Sequence, residues 1–269
     1  MIAPTREHLG WVLHESGPVS ADHTVLLLPG ALCTAAFYDD LLAEPSMSKV
    51  PIRFVATTVP GFGGTAPPDD MSMESYSKLA GQLASDLGCD AVVGHSLGAN
   101  IALEMASAGE FSGPLVLLSP SFSRRDESRL PRALDRLSRL LGHLPYSLML
   151  KIIGPAMKSS LPPTRREALI AELKKNDAHF LRRQTNLYLE YLDRHGSLAP
   201  RFADSGVPAW VVYGESDDIG ITDNERDLLE ARPHVSIIRI SDAGHFALNQ
   251  QPAQIAKLVV DAVTSTVPG

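Results

Sequence analysis

The stretch Val92-Val93-Gly94-His95-Ser96-Leu97-Gly98-Ala99-Asn100 constrains this chain more than any other. An apolar run stops at Gly94-His95-Ser96-Leu97-Gly98, and a second apolar run with helical spacing begins at once. A buried strand that turns directly into a buried helix leaves one residue at its apex, here Ser96, with the hydroxyl clear of both elements. The backbone there is sharply bent, and a side chain at either flanking glycine would collide with the packed strand and helix. A G-x-S-x-G pattern arises by chance in a chain of 269 residues. Its position between two apolar elements is what gives it weight.

The rest of the chain supplies a setting for such a turn. Thr24-Val25-Leu26-Leu27-Leu28 is a continuous apolar run stopped by Pro29-Gly30, the pattern of a central strand buried on both faces. Ile52 to Thr57 is another, closed by Val59-Pro60-Gly61-Phe62-Gly63-Gly64, and Cys89 to Val93 feeds the turn at Ser96. Pro114 to Ser119, Val207 to Gly214 and Val235 to Ile240 add three more strands. Residues 8–14, before a turn at Glu15-Ser16-Gly17-Pro18, add an outlying one. Tyr76, Leu79, Leu83 and Leu87 predict a helix over 73–87, and Ala99 to Ala108 a helix apolar nearly all round and therefore buried. Ile255, Leu258, Val259 and Ala262 predict a closing amphipathic helix. Strands alternating with helices argue an α/β fold, with a mostly parallel central sheet flanked by helices.

That rhythm breaks between Pro120 and Ser205, where helical patterns separated by prolines replace the strands. Leu130, Leu134, Leu137, Leu141 and Leu144 share one face of a first helix, with Arg132, Arg136 and Arg139 opposite. Leu169 and Leu173 mark a second helix after Pro162-Pro163, and Leu181, Tyr188 and Leu192 a third. The expected organisation is a core domain over 1–119 and 206–269, with 120–205 inserted as a helical cap over an apolar pocket. A basic amphipathic segment lying on a membrane surface is the weaker reading of the first helix, which carries no Trp or Phe anchor. Met149 and Met157 are expected to fill gaps in the core rather than line the pocket.

Composition bounds the partners. A formal charge of −7 gives no long-range attraction to nucleic acid or to an anionic membrane. Cys33 and Cys89 make neither a disulfide framework nor a metal site, and both read as small buried hydrophobes. No run approaches ~18 apolar residues, and Met1 to His8 lacks an apolar signal core, so the expected location is cytoplasmic.

A serine hydroxyl is a poor nucleophile at neutral pH. It needs a base, an acid to orient that base, and donors for the developing oxyanion. The chain offers both partners where strands end, in Gly214-Glu215-Ser216-Asp217-Asp218 and in Ser241-Asp242-Ala243-Gly244-His245-Phe246. Functional groups of open α/β sheets gather beyond the carboxyl ends of the strands.

With these residues the chain resembles the α/β-hydrolase superfamily in its capped, single-domain form. The matching motifs are the strand ending Pro29-Gly30-Ala31, then Pro60-Gly61-Phe62-Gly63, Gly94-His95-Ser96-Leu97-Gly98, Gly214-Glu215-Ser216-Asp217 and Ala243-Gly244-His245-Phe246. The resemblance implies Ser96 as nucleophile, His245 as general base and Asp217 as the orienting acid, with Asp218 as the fallback. His95 is expected to be structural. The oxyanion hole would combine the backbone N–H groups of Ala31 and Leu97, although this chain has Pro29-Gly30 where the family usually has His-Gly. Thr58 stands where relatives often carry aspartate, a difference expected to touch loop bonding rather than chemistry.

The implied activity is that of a serine esterase on a small to medium acyl compound, with no metal or organic cofactor. Thioesterase, lactonase, carbon–carbon hydrolase and perhydrolase chemistry share the same triad, whereas dehalogenase and epoxide-hydrolase relatives carry aspartate in place of Ser96. Two further alternatives are a ligand-binding receptor that retains the pocket and a lipase acting at an interface.

Overall fold

The computed structural model describes residues 6–18, 20–156 and 166–264. Met157 and Pro162-Pro163 lie outside them. Eight strands form one sheet: β1 (Arg6–His8), β2 (Trp11–Ser16), β3 (His23–Leu28), β4 (Ile52–Thr58), β5 (Ala91–His95), β6 (Leu115–Leu118), β7 (Ala209–Gly214) and β8 (Val235–Ile240). Their order across the sheet is β1-β2-β4-β3-β5-β6-β7-β8. Strands β3 to β8 pair in parallel, while β1 and β2 run antiparallel at one edge. The single strand expected over 8–14 is instead a hairpin, because Leu9 and Gly10 both take positive φ, 51° and 78°, and turn the chain.

Alternation along the central strands divides the interior into two layers. Leu26, Leu28, Val92, Leu115 and Leu117 face one core, and Val25, Leu27, Val93, Val116 and Leu118 face the other. Both faces are covered, which is why these strands read as unbroken apolar runs. The chain leaves β3 toward β4, then returns to place β5 on the other side of β3. The sheet therefore switches direction beyond the carboxyl ends of β3 and β5, where open α/β sheets form their clefts.

Helix α1 (Met73–Leu87) matches the expected bounds. The Ser72 hydroxyl caps its first turn by accepting from the Ser75 amide at 3.2 Å, and Gly88 ends it at φ 62°. Helix α2 (Leu97–Ser107) starts immediately after Ser96, two residues earlier than its apolar spacing predicts, and is buried from Leu97 through Ala106. Its two polar interior residues serve as anchors. Asn100 exchanges hydrogen bonds with the backbone of Ser121, at 2.7 and 3.1 Å. Glu104 accepts from both guanidinium nitrogens of Arg201, at 2.7 and 3.1 Å, and from the Tyr191 hydroxyl at 2.6 Å. A buried carboxylate is tolerated here because it is fully paired.

Arg201 and Tyr191 belong to the helices between β6 and β7: α3 (Arg129–Leu141), α4 (Leu144–Ala156), α5 (Arg166–Leu173), α6 (Ala178–His195) and α7 (Ala199–Asp204). Among the described residues there are five rather than three, and Gly142, at φ 63°, breaks the first before Leu144, which opens α4. Leu169, Leu173, Leu181, Tyr188 and Leu192 are buried as their spacing predicts. The leucine stripe of α3 is different. Only Leu134 is buried, while Leu130, Leu137 and Leu141 are about half exposed. The face of α3 that packs inward carries Leu134, Asp135 and Ser138, with Asp135 accepting from Arg124 at 2.8 Å and Arg139 at 3.1 Å. Helices α8 (Asp223–Glu230) and α9 (Pro252–Thr264) complete the layers.

Cys33 is buried, but Cys89 is only half-buried, packed at the margin of the core. Burial pushes both thiols up to about 12, so both stay protonated and poorly reactive. No helix among the described residues is long and apolar enough to cross a membrane.

Candidate active site

Ser96 sits between β5 and α2 at φ 51° and ψ −117°, a strained conformation for a residue with a side chain. Such strain costs of order 1–3 kcal/mol and persists only where the surroundings enforce it. The enforcement is visible on both sides of the turn. The Ser96 amide donates to the Leu118 carbonyl at 2.8 Å, and its carbonyl accepts from the Asn100 amide at 3.0 Å. A Cβ on Gly94 would overlap the Gly98 carbonyl and Ala99, and one on Gly98 would overlap the Leu28 carbonyl. The strand and helix therefore cross at a distance only glycine allows, and the serine is forced outward.

His245 follows β8, and Asp217 follows β7. The two meet at 3.2 Å between Nδ1 and Oδ1. A carboxylate only accepts, so Nδ1 carries the proton and Nε2 is left as the basic edge of the ring. Asp217 also accepts from the Ile219 amide at 3.0 Å and, through Oδ2, from the Ser119 hydroxyl. Its side chain is wholly covered, whereas Asp218 is exposed. The geometry thus pairs His245 with Asp217, not with the neighbouring Asp218.

Electrostatics follow from this arrangement. Burial pushes the Asp217 carboxyl upward, but the hydrogen bond and charge of His245, with Ser119 and the Ile219 amide, outweigh it and hold the group below its usual range. Burial pushes His245 down. The bond and charge of Asp217 outweigh that, with help from Asp218 and Glu127, and the net shift is upward.

One cavity of about 720 Å³ joins these groups. Gly30, Ala31, Ser96 and His245 lie on its wall. Much of the remaining lining is apolar and comes from the helices between β6 and β7, including Leu130, Leu137 and Leu141 of α3. Their exposure has a physical reason: they face this open space instead of a packed neighbour. Met149 packs against the core, as expected of it, and also lines the cavity.

Ala31 and Leu97 fall where backbone donors would be useful. Ala31 shares the cavity wall with Ser96, and Leu97 is the first residue of α2, where amides lack intrahelical acceptors. A Cβ on Gly30 would stand 2.8 Å from His95 Nδ1 and 3.2 Å from Ser96 Cβ, so the loop after β3 packs directly against the turn. Thr58 supports this loop as expected, its hydroxyl accepting from the Ala35 amide at 3.0 Å. Asn176, before α6, ties the same loop to the one after β4, donating to the Leu32 carbonyl at 2.9 Å and accepting from the Gly63 amide at 3.0 Å.

Two polar residues of the site are absent from the sequence reading. Ser119, at φ 54°, directly follows β6 beside β7, and its place just past a strand end is its one signal in the sequence. Glu127 lies in the connection leading to α3, is buried and lines the cavity. It accepts from the Ser128 amide at 2.8 Å and the Ser121 hydroxyl at 3.2 Å, and burial pushes its carboxyl upward. No local pattern marks it. Asp217, Asp218 and His245 also place ligand atoms within 4.8 Å of one another, but the Asp217 oxygens are already engaged by Ser119, Ile219 and His245.

Comparison with known proteins gives the same frame. A sequence comparison with curated proteins finds no match. Among solved structures, an esterase from Exiguobacterium antarcticum superposes with a TM-score of 0.75 at 14% identity, covering 95% of this chain and 96% of that one. A hydrolase from Pseudomonas aeruginosa PA01 gives 0.73 at 17% identity over 95% and 94%. A thioesterase domain from the curacin biosynthetic pathway gives 0.70 at 20% identity over 97% and 99%. These likenesses establish the fold. The model of the alpha/beta hydrolase family matches residues 25–258, which take in the parallel strands β3 to β8 from Val25 onward and both connections that carry Asp217 and His245. The chain belongs to the alpha/beta hydrolase family.

Proposed function

We propose that, within the hydrolase chemistry of this family, the protein is a serine esterase acting on a small to medium carboxylic ester or related acyl compound. Ser96 Oγ attacks the carbonyl carbon while its proton passes to His245 Nε2. Asp217 holds the imidazole in the required tautomer and stabilises the imidazolium. The amides of Ala31 and Leu97 hold the oxyanion. Collapse breaks the bond to the leaving group, which takes the proton from His245. Water, deprotonated by His245, then releases the acid and restores Ser96. Residues 120–205 act as the cap that shapes the cavity and excludes water from it.

The observation that carries this reading is a strained Ser96 opening on the same cavity as a base whose far nitrogen is held by a buried carboxylate. The apolar walls favour an apolar acyl or alcohol group. A panel of p-nitrophenyl esters of graded acyl length tests it. Multiple turnovers are expected from the wild type, with a loss of several orders of magnitude in Ser96→Ala. Ligand binding without turnover would instead assign the fold to a receptor and sink the esterase reading.

A further inference from the structure

Building on the esterase reading, we propose that the cavity takes esters of uncharged, unbranched aliphatic acids and rejects acyl groups that carry a second carboxylate. The wall that α3, α4 and α5 supply is apolar apart from Glu172 and, among the described residues, holds no aromatic ring. The aromatic side chains on the wall, Phe37 and Phe246, stand beside the histidines instead, with ring centroids 4.8 Å from His95 and 5.3 Å from His245. Of the exposed large apolar side chains on α3 and α4, every one but Leu140 lines this cavity. Their open faces are left for an apolar occupant.

Length favours a chain over a ring. The wall along α3 runs from Leu130 to Leu141, about 16 Å along the helix axis. Only an extended group uses apolar surface of that reach. The acyl group stays on Ser96 through both chemical steps, whereas the alcohol leaves after the first. The acyl chain is therefore the part of the substrate that gains most from such a wall.

Charge excludes the anionic acids. Among the described residues, Glu127, Glu172 and Asp218 lie on the wall, and no Lys or Arg does. Yet 16 of the 24 Lys and Arg fall within 120–205. The cations are directed elsewhere. Arg132 and Arg136 line a separate polar cleft, Arg124 and Arg139 pair with Asp135, and Lys175 pairs with Glu172 at 2.7 Å without lining the cavity. Of the two histidines on the wall, His95 is held neutral and His245 is already paired with Asp217. A carboxylate on the acyl chain would lose water, find no cation and face like charges.

The test compares kcat/KM for three p-nitrophenyl esters: the acetate, the octanoate and the monoester of octanedioic acid. Each buried methylene adds about fourfold, so octanoate is expected to exceed acetate at least about a hundredfold. The octanedioic monoester, equal in carbon number, is expected to fall at least about tenfold below octanoate. Leu137→Arg places a cation on the wall and should narrow that ratio at least about fivefold. A ratio taken within one protein does not depend on how much of it is folded. Octanedioate cleaved as well as octanoate, acetate preferred to octanoate, or a ratio unmoved in Leu137→Arg would overturn the proposal and leave the esterase reading in place. Ester hydrolysis that persists in Ser96→Ala, or none from the wild type, would overturn the esterase reading and the proposal with it.

Discussion

His95 Nε2 lies 2.8 Å from the backbone carbonyl oxygen of His245, a residue 150 positions away in the chain. The carbonyl only accepts, so Nε2 carries the proton. Burial, and then the charge of His245, lower His95 to about 3, which keeps the ring neutral and its tautomer fixed. The ring also packs between Phe37 and His245, with centroids 4.8 Å from each. The residue beside Ser96 thus props the backbone that carries His245. His95→Phe should keep the ring contacts and lose the hydrogen bond. Steady-state kinetics are expected to show kcat reduced about tenfold with KM within about twofold. An unchanged kcat would remove this supporting role.

Ser119 does for Asp217, the proposed acid, what His95 does for His245, the proposed base. Its hydroxyl donates to the Asp217 oxygen that does not face His245. Ser119→Ala leaves that buried oxygen short of a donor, a loss of about 1.5–3 kcal/mol for a hydrogen bond to a charged group. The carboxyl should then titrate higher and hold the imidazolium less well. The expected readout is a fall in kcat of about tenfold or more, with little change in KM.

The neighbours Asp217 and Asp218 make a sharper comparison. Asp217→Asn should lower kcat by about 10⁴-fold, because the wrong imidazole tautomer is then favoured. Asp218→Asn should leave kcat within about threefold, since the exposed side chain acts on His245 only through its charge. If Asp218→Asn is the damaging change, the assignment of the acid is wrong.

The same charges set the pH profile. His245 is shifted above its usual 6.5: burial opposes the shift, while Asp217, then Asp218 and Glu127, favour the protonated ring. His245 is therefore occupied by a proton up to a pH above 6.5, and with His245 as the proposed base kcat/KM should rise with pH, reaching half its plateau above that value. Removing one negative charge makes protonation less favourable. The acid limb of Asp218→Asn, and to a smaller degree that of Glu127→Gln, should move to lower pH. A limb that moves upward in either variant would contradict the arrangement of charges around His245.

Much of this is legible in the sequence. The runs at Leu26–Leu28 and Val92–Val93 read as buried strands because both faces of the central sheet are covered, and α1 kept its bounds because Ser72 and Gly88 mark its ends. Ser96, Asp217 and His245 each follow a strand that periodicity identifies, so their convergence at one sheet edge was readable from the order of elements. The leucines of α3 misled for a physical reason. Periodicity reports a shared face but not whether protein or open space lies opposite, and Leu130, Leu137 and Leu141 face a cavity. Glu127 and the His95–His245 bond depend on contacts between distant segments, which no local pattern encodes.

The turn itself offers a stability test. Gly98→Ala would drive a Cβ into the Leu28 carbonyl, and neither backbone can yield without separating β3 from α2. A loss of about 3 kcal/mol or more in chemical denaturation is expected, at the upper end for overpacking. A variant as stable as the wild type would mean that the crossing is looser than described.

The central claim is that Ser96 is the nucleophile and His245 its base. Labelling with a fluorophosphonate, followed by mass spectrometry of the digested protein, reads this directly. One adduct is expected, on the peptide carrying Ser96, formed at least about a hundredfold more slowly in His245→Ala and absent in Ser96→Ala. An adduct on another residue, or undiminished labelling of Ser96→Ala, would contradict the account.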